Sequence, residues 1–292
     1  MSLKGVYTAL ITPFNDDRSF DSESMKNIIE FQIKEKVNGL LPIGTTGESP
    51  TVAHEEQIKI IEMVIKQVAG RVSIIAGSGS NNTEEAIKMT KIVKDCGANY
   101  SLQVTPYYNK PSQEGLYRHF MAIADSVDIP LIIYNIQGRT GKNVDNSTML
   151  KLSKHPNICA VKEASGNIGQ IMELIAEKPD NFDVMSGDDN LLLPIAALGG
   201  TGIISVASNL IPGKMVELTD AALKGDMPKA RELHFKLLPF FKAEFIDTNP
   251  IPIKYMMYLK KMTKEVYRLP LCELSDNDKK QVKSVLEKMG II

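Results

Sequence analysis

The chain of 292 residues has no tryptophan, only three cysteines and only four histidines. Cys96, Cys159 and Cys272 are far apart and form no CxxC pair, which leaves neither a zinc site nor a disulfide frame and fits reduced thiols. His54, His119, His155 and His234 show no ligand spacing and no His-Glu-x-x-His occurs, so no metal is expected. Charge of one sign is also missing. Lys and Arg number 34 against 35 Asp and Glu, a net charge of -1, and no basic run offers a nucleic acid a field to follow. No apolar run approaches the ~20 residues of a membrane span, and the opening Met1-Ser-Leu-Lys-Gly-Val-Tyr-Thr is neither a signal peptide nor a transit segment. A cytoplasmic protein off the membrane is expected. There is no Walker sequence, and Gly77-Ser-Gly-Ser-Asn-Asn ends on Asn82 where a dinucleotide fingerprint needs Gly or Ala, so no nucleotide cofactor is expected.

What the chain does have is a repeated alternation of short apolar runs and helical periodicity. The runs Val6–Ile11, Gly39–Ile43, Val72–Ala76, Asn99–Val104, Leu131–Tyr134, Ile158–Lys162, Phe182–Met185 and Gly202–Val206 each read as a buried strand. Each is followed by an amphipathic pattern, such as Ile58, Ile61, Ile65 and Val68. Eight strand-then-helix units imply an α/β fold, a closed (β/α)8 TIM barrel, with an open doubly wound sheet as the competitor. The barrel is expected over residues 1–225. A C-terminal helical region comes after it over 226–292, interrupted at Asn249-Pro250-Ile251-Pro252 and Leu269-Pro270.

In such a barrel the chemistry sits where the strands end. Strand two ends in Thr45 and Thr46, strand four in Tyr107 and Tyr108, strand five in Tyr134, strand six in Lys162 and strand seven in Gly187 and Asp188. A lysine at a strand end ordinarily sends its head into solvent. Held in apolar surroundings, however, it sheds its proton and becomes a nucleophile for carbonyl carbons. Adjacent strands lie about 4.8 Å apart, so Tyr134 can set its phenol oxygen beside the Lys162 amine and relay protons. Thr45 and Thr46, between glycines at the start of a helix, offer hydroxyls and backbone N–H groups to a carboxylate. Arg139, in the mobile-looking loop Gly138-Arg139-Thr140-Gly141, is a fork for a second one. Asp188-Asp189 is read as a helix cap in preference to a catalytic pair.

These residues, with Gly44-Thr-Thr-Gly-Glu48, Val104-Thr-Pro-Tyr-Tyr-Asn109, Val161-Lys-Glu-Ala164, Ser186-Gly-Asp-Asp189, Gly202-Ile-Ile-Ser205 and Asn249-Pro-Ile-Pro-Ile-Lys254, make the whole chain resemble the dihydrodipicolinate synthase family of the pyruvate-dependent aldolase superfamily. The resemblance implies condensation of pyruvate with aspartate semialdehyde to hydroxytetrahydrodipicolinate, a lysine precursor, through an imine on Lys162 and without a separate cofactor. By the same resemblance Tyr134, Thr45 and Tyr108 form the proton relay, with Tyr108 reaching in from a neighbouring copy. Thr46 holds the pyruvate carboxylate, Arg139 the semialdehyde carboxylate, and Gly187 and Ile204 line the pyruvate pocket through their backbones. Family members are often homotetramers, dimers of dimers. In lysine-inhibited members an interface cleft takes the end product, and Ser49, His54, Asn81, Glu85 and Tyr107 match that set, whereas Pro50 and Gln57 stand in place of an alanine and a histidine. Ile136-Gln137-Gly138 replaces the family's Val-Pro-Ser or Val-Pro-Gly, which implies a looser arginine loop. The alternatives are a sister aldolase acting on sialic acid or a 2-keto-3-deoxy sugar acid, and a non-catalytic pyruvate or amino-acid sensor.

Overall fold

The structure is a computed structural model that describes residues 3–292. In chain order the units run β1 (Gly5–Ala9) and α1 (Ser22–Lys34), β2 (Gly39–Leu41) and α2 (His54–Val68), β3 (Ser73–Gly77) and α3 (Thr83–Asp95), β4 (Tyr100–Val104) and α4 (Gln113–Ser126). They continue with β5 (Leu131–Asn135), the single turn α5 (Gln137–Thr140) and α6 (Asn146–Leu152), then β6 (Ile158–Glu163) and α7 (Ile168–Glu177), β7 (Asp183–Ser186) and α8 (Leu192–Ala197), β8 (Gly202–Ser205) and α9 (Pro212–Leu223). Helices α10 (Met227–Ala243), α11 (Ile251–Leu259) and α12 (Asp276–Lys288) complete the chain. The strands pair in sequence order, all parallel, and β8 closes onto β1. The fold is the expected TIM barrel with C-terminal helices.

Strand parity decides what faces the barrel axis. Successive side chains on a strand point to opposite faces. One cluster inside the barrel collects Tyr7 and Ala9 of β1, Leu41 of β2, Ile75 of β3, Leu102 of β4, Ile132 and Tyr134 of β5, Ala160 of β6, Met185 of β7 and Ile204 of β8. The alternate residues Val6, Leu40, Ile74 and Ile203, and Ile133, Val161 and Val184, pack outward beneath the helices. Lys162 shares parity with Ala160, so it is one of the inward set, two residues nearer the C-terminal rim.

The C-terminal helices share the barrel's core. Phe240 and Phe241 of α10, Ile253 and Met256 of α11 and Leu286 of α12 belong to the same buried cluster as Leu10, Ile28 and Ile29. Polar side chains cross between the two parts as well. Lys254 and Glu48 form an ion pair in which both side chains are fully buried. The Lys254 amine also donates to the Val266 carbonyl (2.7 Å) and lies 4.4 Å from the centre of the Phe14 ring. Arg268 grips Glu56 with two nitrogens at 2.6 and 2.8 Å.

Candidate active site

The loop after β2 carries Thr45 and Thr46 in a constrained path. Ile43 has φ 57° and Glu48 φ 54°, left-handed values that are strained for side chains of this kind, above all for a β-branched one. Thr12 donates its hydroxyl to the Gly47 carbonyl (2.6 Å), and the Glu48 amide donates to the Thr45 carbonyl (3.1 Å). A 3-10 turn over Ser49–Thr51 comes next, and α2 begins only at His54. This corrects the expectation of a helix start at the threonines: backbone turns and hydroxyls, not a helix dipole, are what Thr45 and Thr46 present. Thr46 is buried, and its hydroxyl accepts a hydrogen bond from the Asn249 side-chain amide (3.0 Å).

Lys162 and Tyr134 are direct partners in the β5–β6 register. The Lys162 amine lies over the face of the Tyr134 ring, 4.2 Å from its centre. Both side chains are buried. Burial lowers the Lys162 amine to about 8, against the opposing pull of Asp188 and Asp189. Burial likewise pushes the Tyr134 phenol up to about 12, while Arg139 and the nearby Thr45 hydroxyl act the other way. An amine near 8 is partly neutral at ordinary pH, and the phenol stays a proton donor.

Gly187 follows β7, and its amide donates to the Glu163 carbonyl (2.8 Å). A Cβ there would lie 2.8 Å from the Ala164 Cβ and 3.1 Å from the Lys162 Cε, so the absence of a side chain is what leaves room for the lysine stem. Gly187→Ala is therefore expected to displace the amine and to reduce kcat/KM for the substrate at Lys162 by roughly 10²-fold. Steady-state kinetics check this, with circular dichroism to confirm the fold. Ile204, on β8, is buried inside the barrel.

Arg139 lies on α5, an ordered helical turn closed by Gly141 at φ 69°. Thr140 donates its hydroxyl back to the Ile136 carbonyl (2.9 Å), and the Arg139 guanidinium donates to the Asn249 carbonyl (3.1 Å). Where the family has a proline, a helical turn and the tie to Asn249 support this segment. At the end of β5, buried Asn135 donates to Glu163 (3.2 Å) and accepts from the Val144 amide (3.0 Å), bracing both ends of the arginine segment.

Thr45, Tyr134 and Arg139 line one cavity of about 640 Å3 together with Ser49, His54, Glu85 and Tyr107. Lys162 does not line it but touches the Tyr134 ring that does. Asn81 is outside the lining, and its side chain donates to the Tyr107 carbonyl (3.1 Å). Gln57 spends its amide hydrogens on the Ser49 and Val52 carbonyls, both at 2.9 Å. Tyr108 is 91% exposed, with φ 70°, and does not line this cavity.

Asp189 does not cap its own helix, the role expected of Asp188-Asp189. It accepts from the Ser205 hydroxyl (2.5 Å) and from the Val206 and Ala207 amides (2.9 and 3.2 Å), so it anchors the end of β8. Asn249 is a site residue that the sequence did not single out. Its only signal is a place in the Asn249-Pro-Ile-Pro-Ile-Lys254 stretch, which reads as an interruption of helical pattern.

The model for the dihydrodipicolinate synthetase family matches residues 2–289. The chain belongs to this family. Its relatives include the 4-hydroxy-tetrahydrodipicolinate synthase of Prosthecochloris aestuarii, 46% identical over 292 residues, covering 100% of this chain and 98% of the relative. The enzyme of that name from Methanocaldococcus jannaschii is 48% identical, covering 99% of each chain. The crystal structure of dihydrodipicolinate synthase from Aquifex aeolicus superposes with a TM-score of 0.97 at 46% identity, covering 99% of each chain. The rim that carries Lys162, Tyr134, the two threonines and Arg139 is thus the rim of a dihydrodipicolinate synthetase family barrel.

Proposed function

We propose that the protein condenses pyruvate with L-aspartate 4-semialdehyde to 4-hydroxy-tetrahydrodipicolinate, as a 4-hydroxy-tetrahydrodipicolinate synthase of lysine and diaminopimelate biosynthesis. The observation that carries this reading is a buried lysine, lowered to about 8, at the inner end of β6 against Tyr134, within a chain that matches the family from end to end. The neutral Lys162 amine attacks C2 of pyruvate and water leaves, giving a protonated imine. That cation draws electrons from C3, which loses a proton to become an enamine. The enamine carbon attacks the semialdehyde's aldehyde carbon. The semialdehyde's own amine then adds to C2 and displaces Lys162, closing the ring, with one water lost overall. Tyr134 and Thr45 shuttle the protons. Thr46 and the backbone at Gly187 and Ile204 hold pyruvate, and Arg139 grips the second carboxylate.

Tyr108 completes the relay from a neighbouring copy in this proposal, which accounts for an exposed tyrosine in a strained conformation. A homotetramer built as a dimer of dimers, located in the cytoplasm, is part of the same reading. The set Ser49, His54, Asn81, Glu85 and Tyr107 is proposed as a weak lysine site at most, because Gln57 is occupied with holding its own turn. The test is a reductase-coupled assay with both substrates, alongside borohydride treatment in the presence of pyruvate. Product formation and a reduced pyruvyl adduct on Lys162 are expected. Faster turnover of a sugar acid, or an adduct elsewhere, would overturn the assignment.

A further inference from the structure

Two carboxyl side chains that the proposed chemistry does not use meet behind Lys162. Asp189 and Glu244 are both fully buried. Glu244 terminates α10 and brings its carboxyl from the C-terminal region up against Asp189. Their surroundings differ sharply. Asp189 receives hydrogen bonds from the Ser205 hydroxyl and from the Val206 and Ala207 amides. Neither Glu244 oxygen has a donor among the described residues. Two carboxylates in contact out of water cannot both ionise, and the one without donors keeps the proton.

We propose that Glu244 is a positioning residue that stays a carboxylic acid and donates its proton in a hydrogen bond to Asp189, so that the pair carries one charge and fixes the β8 end beside Lys162. Burial and the facing Asp189 both favour the neutral form, pushing the Glu244 carboxyl well above the usual range. The charged groups acting on the pair are Asp188, just after β7, and Lys162 on β6, while Glu163 on β6 and Arg139 on α5 act in turn on Asp188. On the β8 side the facing groups are the Ser205 hydroxyl and two amides. Asp188 and Asp189 both favour the charged form of Lys162, and hence a protonated imine, while burial opposes it. A second ionised carboxyl at Glu244 would tilt this balance towards the idle ammonium. A missing donor would let Asp189 take up a proton and tilt it the other way.

The kinetic part of the test rests on the proposed Lys162 imine, and the spectroscopic part does not. Infrared spectra at pH 8 are expected to show a buried protonated-carboxyl stretch that disappears in Glu244→Gln. Glu244→Gln, whose amide can still donate to Asp189, is expected to keep kcat/KM for pyruvate within about 3-fold and the same acid limb of its pH profile. Glu244→Leu, similar in size but without a donor, is expected to raise the pyruvate KM roughly 10-fold and to move the acid limb to lower pH by about half a unit or more. If Glu244→Leu does not fold, Asp189→Asn removes the same charge and is expected to move the limb in the same direction. An unchanged acid-carboxyl band in Glu244→Gln overturns the inference, even where borohydride trapping at Lys162 succeeds. So does a wild-type KM and acid limb in Glu244→Leu, or an unmoved limb in Asp189→Asn where that variant stands in.

Discussion

Lys162→Met is expected to abolish turnover and, at the same time, to make the protein more stable. On the proposed imine mechanism, removing the Lys162 nucleophile costs at least ~10³-fold in kcat, and borohydride in the presence of pyruvate leaves the variant unlabelled. The stability gain stems from the lowered amine. In the unfolded chain Lys162 titrates near its ordinary value of 10.5, and in the fold near about 8 because burial penalises its charge. Below pH 8 the lysine is protonated in both states and the fold bears the full penalty, about 3 kcal/mol at ~1.4 kcal/mol per unit. In the variant, imperfect repacking around the thioether offsets about 1 kcal/mol of this. Between pH 8 and 10.5 the native state sheds its proton while the unfolded chain keeps it, so wild-type stability rises with pH across that window. Lys162→Met, with a flexible apolar chain of similar length, is thus expected to gain roughly 2 kcal/mol below pH 8, and the advantage fades towards pH 10.5. Urea unfolding at pH 7 and pH 10 checks both the sign and the window. Equal stability of the two proteins at pH 7 would mean that the amine is not held against its charge.

Lys254→Met should have the largest effect on stability. Lys254 and Glu48 are both fully buried, and removing one partner strands the other as an unpaired charge. Such breaks cost about 3–5 kcal/mol, whereas replacing both partners with apolar side chains is often close to neutral. At roughly 2–4 °C per kcal/mol the single variant is expected to lower the apparent Tm by about 6–20 °C. Glu48→Leu combined with Lys254→Met is expected to recover most of that loss. Activity should not recover in parallel. Glu48 holds its left-handed conformation at the end of the loop that carries Thr45 and Thr46, and the double variant lacks the ion pair that ties Glu48 to Lys254 of α11. Differential scanning calorimetry and steady-state kinetics on the two variants separate the stabilising role from the positioning one.

The parts of this molecule that sequence reading reached are those written in local periodicity. Each of the eight apolar runs overlaps a strand, and the residues that close them, from Thr45 to Gly187, gather at one rim because parallel strands in a closed barrel all end on the same side. The parity that turns Lys162 inward is visible in Ile158-Cys-Ala-Val-Lys itself. The helical turn under Arg139 was not legible, since four residues that include a glycine carry no apolar period. Nor was the tie from Asn249 to Thr46, which joins positions 203 apart. Long-range pairing of polar side chains has no local signature: Asp189 reads as a helix cap because capping is what an aspartate does near its own helix, and its true partners lie 16 to 18 residues on.

The Asn249 junction also sets the minimum size of a working catalyst. Through one residue the C-terminal segment holds the Thr46 hydroxyl with its side chain and the Arg139 guanidinium with its backbone. A stripped barrel ending after α9 would retain all eight strands and still lack the strut that spaces Thr46 and Arg139, the two proposed carboxylate grips. For the protein engineer, exchange of residues 226–292 between relatives is therefore a graft onto the proposed substrate pocket, and chimaeras made at that seam test whether Asn249 helps to set which second substrate is accepted.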